Sequence, residues 1–448
     1  MKSFLSVIAT LLTAVAFAQP TNNKDSILQQ MQYTAKKELI DIYYPRNIDT
    51  EYGGYLSTFN YEFKPEGEQD KMIVTQARHT WTTAKAAMFY HDSSYIAMSR
   101  HGFLFLRNKM WDSTYGGFYN LVTRAGEPKT MVKQAYGNAF GIYGLAAYYE
   151  CSGDTAALNF AKKAFLWLEQ HSHDSQYKGY YQYLERDGTP MLRKPDEPGT
   201  SDMGYKDQNS SIHILEALTE LYKVWKDPLV RTRLEEMLTL IRDTIVTPKG
   251  YLQLYFTPQW KPVSYSDSSA AVIAKNHYID HVSFGHDVET AYLMQEATET
   301  LGNMHDTNTL AIGKKMVDHA LRNGWDDTLG GFYDEGYYFK NKPGLTITLK
   351  SKNWWAQAEG LNTLLMFSDM YPDDPLHYYQ HFTKLWNYVQ TYLIDHAHGD
   401  WYDEGIDKSP QRKTALKAQI WKGAYHNFRA LMNCINRLEE DEKKSAVK

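Results

Sequence analysis

Three histidines stand where apolar stretches begin, and two of them are followed three residues later by a glutamate: His213-x-x-Glu216 and His286-x-x-Glu289. That separation puts both side chains on one face of a helix, where the carboxylate can orient the imidazole and raise its basicity. The third histidine, His426, is followed by Asn427 and Arg429. Imidazole titrates near neutral pH, so one copy can remove a proton while another returns it, the chemistry needed at a carbon beside a carbonyl. Further groups fall at matching places: Arg78 and Trp81, Tyr136 and Asn138, Asn209, then Trp354, Trp355 and Glu359. Arg78 and Arg429 have planar donors suited to sugar oxygens or an enediolate. Trp81, Trp354, Trp355 and Trp421 are candidate walls on which sugar rings stack. Each group also has a plainer reading: a lone histidine caps a helix or faces solvent, an arginine closes an ion pair at a rim, and tryptophans at helical spacing fill a core. Two His-x-x-Glu pairs have some metal-ligand character, but the sequence has no HExxH and no cysteine set, and the expectation is a site without metal or cofactor.

Repeated helix pairs must position these groups. A turn in which Gly or a small polar residue precedes an aromatic recurs six times, at Gly53-Gly54-Tyr55, Gly116-Gly117-Phe118, Lys178-Gly179-Tyr180, Lys249-Gly250-Tyr251, Gly330-Gly331-Phe332 and Gly399-Asp400-Trp401. Four copies have an aspartate shortly before (Asp49, Asp112, Asp174 and Asp326), as expected where a helix ends in a tight turn. Apolar residues at helical spacing predict twelve helices, near 25–44, 75–90, 93–111, 134–151, 154–171, 207–226, 229–246, 283–302, 306–324, 352–371, 375–396 and 417–439. Twelve helices and six turns make six pairs, an all-α (α/α)6 barrel forming a single domain over residues 19–448. An open solenoid needs polar capping helices, and the last segment, with Trp421, Tyr425, Phe428, Leu431, Met432 and Ile435, is too apolar to be one. With the even-numbered helices as a parallel inner ring, the groups named above gather at one mouth, where helix N-termini add positive potential. Cys151 and Cys434 then lie on the fourth and twelfth helices with the second between them, so no disulfide is expected.

Composition narrows the partners. Lys and Arg number 48 against 53 Asp and Glu, a net charge of −5 with no long block of one sign, which argues against nucleic acid or an anionic membrane and for a small polar ligand. Lys2, the apolar run from Phe4 to Val15 and Ala16-Phe17-Ala18 before Gln19 read as a signal peptide over residues 1–18. The expected product is soluble, periplasmic or extracellular, and a monomer or weak dimer.

From about Arg78 to the last helix the sequence resembles the N-acylglucosamine 2-epimerase superfamily, and within it the cellobiose 2-epimerases. The likeness lies in Gln76-Ala77-Arg78, Lys133-Gln134-Ala135-Tyr136-Gly137, Asn209 through Ala217, Ser283 through Glu289, Trp354 through Glu359, and Trp421-Lys422-Gly423-Ala424-Tyr425-His426-Asn427. The resemblance implies the (α/α)6 barrel and reducing-end epimerisation of β-1,4-linked disaccharides without metal or nucleotide. It implies His286 and His426 as the acid/base pair, with His213, Arg78, Tyr136, Asn209, Glu289 and the tryptophans shaping the site. Departures are Ser211 where many members have a second histidine, Ala424 in place of a usual proline, and longer stretches at 264–281 and 407–417. The rivals are an aldose-ketose isomerase or an N-acylglucosamine epimerase on the same scaffold, a glycoside hydrolase, which needs two carboxylates flanking a glycosidic bond, and a non-catalytic sugar-binding protein.

Overall fold

The computed structural model describes residues 24–446 apart from His305; the signal-peptide expectation for residues 1–18 lies outside the described residues. Twelve barrel helices follow one another along the chain: α1 (Lys24–Tyr33, prolonged by π-helical turns to Ile40), α2 (Ile73–Phe89), α3 (Ser94–Phe105), α4 (Ala135–Ser152), α5 (Thr155–Ser172), α6 (Gln208–Val224), α7 (Pro228–Leu240), α8 (Phe284–Thr300), α9 (Thr307–Gly324), α10 (Trp354–Met370), α11 (Tyr378–Tyr388) and α12 (Tyr425–Ala446). Local chemistry sets many of the boundaries. Gly153 closes α4 in the left-handed conformation at φ 68°, and Asp154, Asp227 and Asp306 cap α5, α7 and α9 by accepting backbone N–H bonds.

The even-numbered helices pack side by side as an inner ring, α12 closes it against α2, and each odd-numbered helix packs outside an inner one. Inner helices touch neighbours on every side, so their apolar surface runs all round rather than in a stripe; in α4 every residue from Ala135 to Tyr148 is buried. The architecture is the expected (α/α)6 barrel. Both cysteines are free thiols. No helix among the described residues is long and apolar enough to cross a membrane.

The aspartate noted before four of the turns has a partner that spacing did not disclose. A lysine two residues ahead of an inner helix reaches back into the turn: Lys71 to Asp49 at 2.8 Å, Lys133 to Asp112 at 3.2 Å, Lys206 to Asp174 at 2.8 Å and Lys352 to Asp326 at 2.8 Å. In the sixth unit Lys417 meets Asp395 at 2.7 Å. Each ammonium also donates to a carbonyl of its turn, such as that of Gly53 or Gly330, so a cation sealed from water has its donors occupied. Glycine is needed in these turns: Gly54 sits at φ 69°, and a Cβ there would lie 2.6 Å from Gln76 Oε1 and 2.7 Å from the Phe105 ring.

The fourth unit departs from this plan and corrects one expectation. Its turn is a residue shorter, pairing Val246 with Leu252 where the second unit pairs Trp111 with Phe118. Leu252, not Tyr251, therefore holds the aromatic's place, and its N–H goes to Asp287 as those of Tyr55, Phe118 and Phe332 go to Gln76, Asn138 and Gln357. Val282 stands where the lysine would be. Two further differences belong to the chain's longer stretches. An unexpected helix, Ala270–Asp280, fills much of 264–281, and a 3-10 turn, Pro410–Thr414, lies in 407–417. The all-α expectation also omits short antiparallel strands at the mouth. Lys71–Met72, Lys133–Gln134 and Lys206–Asp207 each pair with a strand from the following unit, whereas Val282–Ser283 joins a three-stranded sheet with Glu335–Tyr337 and Thr346–Leu349. The last helix begins at Tyr425 rather than near 417, because 417–424 is spent on Lys417, Lys422 and the turn between them.

Candidate active site

Because the inner helices run in parallel, their first two turns meet at the mouth that carries the short strands. His286, in the first turn of α8, hydrogen-bonds through Nδ1 to Ser283 Oγ at 2.8 Å and lies 4.7 Å, ring to ring, from Trp355 of α10. His426, in the first turn of α12, lies 5.8 Å from the same indole, with its Nδ1 2.7 Å from Glu359 Oε1. The two imidazoles thus flank one tryptophan. Gly285 makes this approach possible, since a Cβ there would come within 2.7 Å of the Trp355 ring. His213 of α6 holds Glu216 at 2.7 Å through Nδ1 and meets Tyr136 edge-on at 5.3 Å. Arg78 of α2 donates to the Tyr136 hydroxyl at 3.2 Å, with its guanidinium over the rings of Phe140 and Tyr425 and its Nε without a partner. Asn209 hydrogen-bonds to the Tyr136 side chain.

Beneath the histidines, Arg429 is 1% exposed and binds three carboxylates: Glu216, Glu289 at 2.6 Å and Glu359 at 2.6 Å, with the Tyr425 hydroxyl at 2.6 Å. Each carboxylate responds differently. Burial opposes ionisation of Glu216, but Arg429 and His213 outweigh it and hold the group down to about 2. Burial lifts Glu289 to about 7, helped by repulsion from Glu359, and lifts Glu359 to about 7 against the pull of Arg429. Burial, then the charges of His213, His281 and Arg78, lowers His286 to about 3. His426 lies well below the ordinary imidazole range, through burial and the neighbouring Arg78 and Arg429. Burial thus favours the uncharged form of both imidazoles and the protonated form of Glu289 and Glu359. Donor atoms of Glu289, Glu359 and His426 come within 4.8 Å of one another, a spacing that could hold a cation. Arg429 already lies between those two carboxylates and supplies the positive charge there.

Several expectations need correction. Glu289 does not orient His286; it turns inward to Arg429, and Ser283 takes the role. Arg429 is committed to carboxylates beneath the site and is not placed for sugar oxygens. Asn138 serves the Phe118 turn rather than the mouth. Trp421, 47% exposed, lies on the turn before α12 and is a rim group rather than part of a helical wall. Trp354 is 9% exposed with its indole N–H unpartnered, and Trp81 is stacked on Tyr143 in the core at 5.4 Å. Sequence reasoning missed Ser283 and Tyr425 and did not connect Glu359 to His426. A hydroxyl three residues before a histidine was a signal available for Ser283; none existed for the other pairing, whose partners are 67 residues apart. A cavity of about 700 Å3 opens at the opposite end of the ring, beside Lys85, Tyr90 and Glu439, away from these groups.

Comparison with known proteins gives the family and supports the fold. The family model for N-acylglucosamine 2-epimerase (GlcNAc 2-epimerase) matches residues 54–430. A cellobiose 2-epimerase of Bacteroides fragilis is 28% identical over 423 residues, covering 93% of this chain and all of that protein. The structure of a cellobiose 2-epimerase from Spirochaeta thermophila superposes with a TM-score of 0.80 at 26% identity, covering 95% of this chain and 100% of the other. A D-mannose isomerase of Marinomonas mediterranea is 23% identical over 401 residues, 88% of this chain and 94% of that one. With its barrel, its histidine-lined mouth and a family match over most of its length, this chain belongs to the N-acylglucosamine 2-epimerase family of carbohydrate isomerases.

Proposed function

We propose that the protein is a sugar 2-epimerase that interconverts reducing-end glucose and mannose in β-1,4-linked disaccharides of the cellobiose or mannobiose type. The observation that supports this most strongly is the pair of imidazoles, His286 and His426, on either side of the Trp355 indole. Glu216, ionised, accepts the Nδ1–H of His213 and leaves Nε2 free to take the anomeric hydroxyl proton and pass it to the ring oxygen as the sugar opens. Ser283 accepts Nδ1–H from His286, whose Nε2 then removes the C2 proton. The resulting cis-enediolate carries negative charge toward Arg78 and the helix N-termini. After rotation about C2–C3, His426 donates its Nε2 proton to the other face and recovers one through Nδ1 from Glu359. That carboxyl suits the task because burial keeps it near its midpoint at neutral pH. In the reverse direction the two histidines exchange roles, and no step calls on a metal or cofactor.

The test is incubation with cellobiose, mannobiose, lactose and monosaccharides in D2O, with NMR of the product. A C2 epimer carrying deuterium at C2, lost in His286→Asn and His426→Asn, is expected; an epimer without deuterium excludes the proton-transfer route. The likeness to a D-mannose isomerase supports a second reading, protonation at C1 of the same enediolate, and a ketose product would select it. The proposal includes a single catalytic domain exported after cleavage before Gln19, checked by N-terminal sequencing of the periplasmic or secreted protein.

A further inference from the structure

The inserted helix Ala270–Asp280 carries His277, and His281 follows at its end, one helical turn on. Their rings are nearly parallel, 5.3 Å apart at 10°. Both face Glu335 on the middle strand of the three-stranded sheet: His277 Nδ1 is 3.3 Å from Oε2, and His281 Nε2 is 3.7 Å from Oε1. All three donor atoms lie within 4.8 Å of one another. For metal bonds of about 2.0–2.1 Å, neighbouring ligand atoms in a tetrahedron are roughly 3.3 Å apart, close to the two separations observed.

The outer nitrogens are also set for ligation. His281 Nδ1 is 3.2 Å from the His277 carbonyl, which fixes the proton there and leaves the lone pair on Nε2, facing Glu335. His277 Nε2 is 3.2 Å from Thr348 Oγ1, a hydroxyl that can accept the Nε2 proton and so allow the Nδ1 lone pair to face inward. Metal-binding imidazoles characteristically have their second nitrogen held by an oxygen in this way. Among the described residues no lysine or arginine forms an ion pair with Glu335, whose only charged partners are the two histidines.

We propose that His277, His281 and Glu335 bind a divalent transition metal of the zinc class. Two imidazoles and one carboxylate are the donor set such ions favour over magnesium or calcium, and they leave a fourth position for water. The ion would tie the inserted helix to the strand opposite Ser283, since Ser283 and Glu335 are register partners. The inference concerns residues outside the histidine pair at the mouth and does not depend on the proposed reaction.

The experiment is calorimetric titration of the full chain, stripped with EDTA and dialysed, with zinc chloride. One ion per chain is expected. Affinity should fall by more than about 100-fold in His281→Ala and Glu335→Gln, and by roughly 10-fold in Thr348→Val, where only the support of His277 is lost. Binding should be unchanged in His426→Asn, which separates this site from the carboxylates around Arg429. Cobalt(II) should give the visible absorption of a tetrahedral site in the wild type, and this readout stands even where a ligand variant fails to fold. Absence of stoichiometric zinc binding by the wild type overturns the proposal, as does binding that persists undiminished in the His277→Ala/His281→Ala double variant or disappears in His426→Asn.

Discussion

Five of the six helical units are closed by the same buried lysine–aspartate pair, whereas the fourth, which presents His286, has Val282 and Thr247 at the corresponding places. Four of the five share a shape, with the lysine two residues before the inner helix, because a buried ammonium needs its carboxylate and its carbonyl acceptors together; the sixth unit meets the same need with Lys417, farther ahead of α12. The fourth is freed from that requirement. It has a shorter turn, an inserted helix, a third strand and, at the start of its inner helix, a histidine supported by a hydroxyl rather than a carboxylate. Regular units hold the ring; the irregular one changes what the mouth can do.

The largest effect that tests this contrast is loss of one pair. Lys352→Met leaves Asp326 buried without its cation and should lower stability by about 3–5 kcal/mol in urea unfolding. Lys352→Met/Asp326→Asn should recover much of it, since two neutral groups of similar size remove the unpaired charge. A loss below about 1 kcal/mol in the single variant would mean that the pairs are incidental to the five regular units.

The next effect concerns the hydroxyl beneath His286. Ser283→Ala should reduce kcat by up to about a hundredfold with little change in KM, because a misdirected base costs the chemical step rather than binding. The acid limb of the kcat/KM profile should move to lower pH as the imidazolium loses an acceptor. Glu359→Gln offers the counterpart at His426: a similar loss in kcat, with the ionisation near pH 7 moved to lower pH, because one of the two carboxyls raised to about 7 is gone and Glu289 loses the repulsion that helped raise it. If both variants gave the same pH profile, the two histidines would not differ in how they are supported.

Much of this was legible in the sequence. The helix count, the closed ring and the gathering of His213, His286, His426, Arg78, Tyr136 and Trp355 at one mouth follow from periodicity and turn spacing, which are local properties. The His213–Glu216 pair was legible for the same reason. What escaped was cross-ring chemistry. Glu289 read as a partner for its own helix and Glu359 had no assigned partner, but α12 brings Arg429 and His426 to them across the ring. Tyr251 was mistaken for the turn's aromatic because Gly250 precedes it as glycine does elsewhere; the deletion of one residue shows only in the pairing of Val246 with Leu252. Residues 264–281 lacked an amphipathic stripe because the inserted helix rests on only Ile273, Asn276 and Ile279.

The smallest effect returns to the fourth unit's inner helix. Asp287 occupies the place of Gln76, Asn138 and Gln357, amides that accept a turn N–H and also donate to a carbonyl, as Asn138 does to Gln134 at 2.8 Å. Asp287 accepts from Leu252, but its Oδ2 has no hydrogen-bond partner, and burial raises its pKa well above the ordinary value. A carboxyl whose folded pKa is raised contributes its full stability below the unfolded value, near 3.8, and loses it as pH climbs toward the folded one. Asp287→Asn should therefore stabilise the protein at pH 4 by the ~1 kcal/mol of one added hydrogen bond to the Ser283 carbonyl, and by more at pH 8, where the wild type has lost the stability linked to its raised carboxyl. Urea midpoints across that range measure it. Should the variant be less stable at pH 8 than the wild type, Asp287 is ionised and paired in the native protein, and the fourth unit is held by a charge after all.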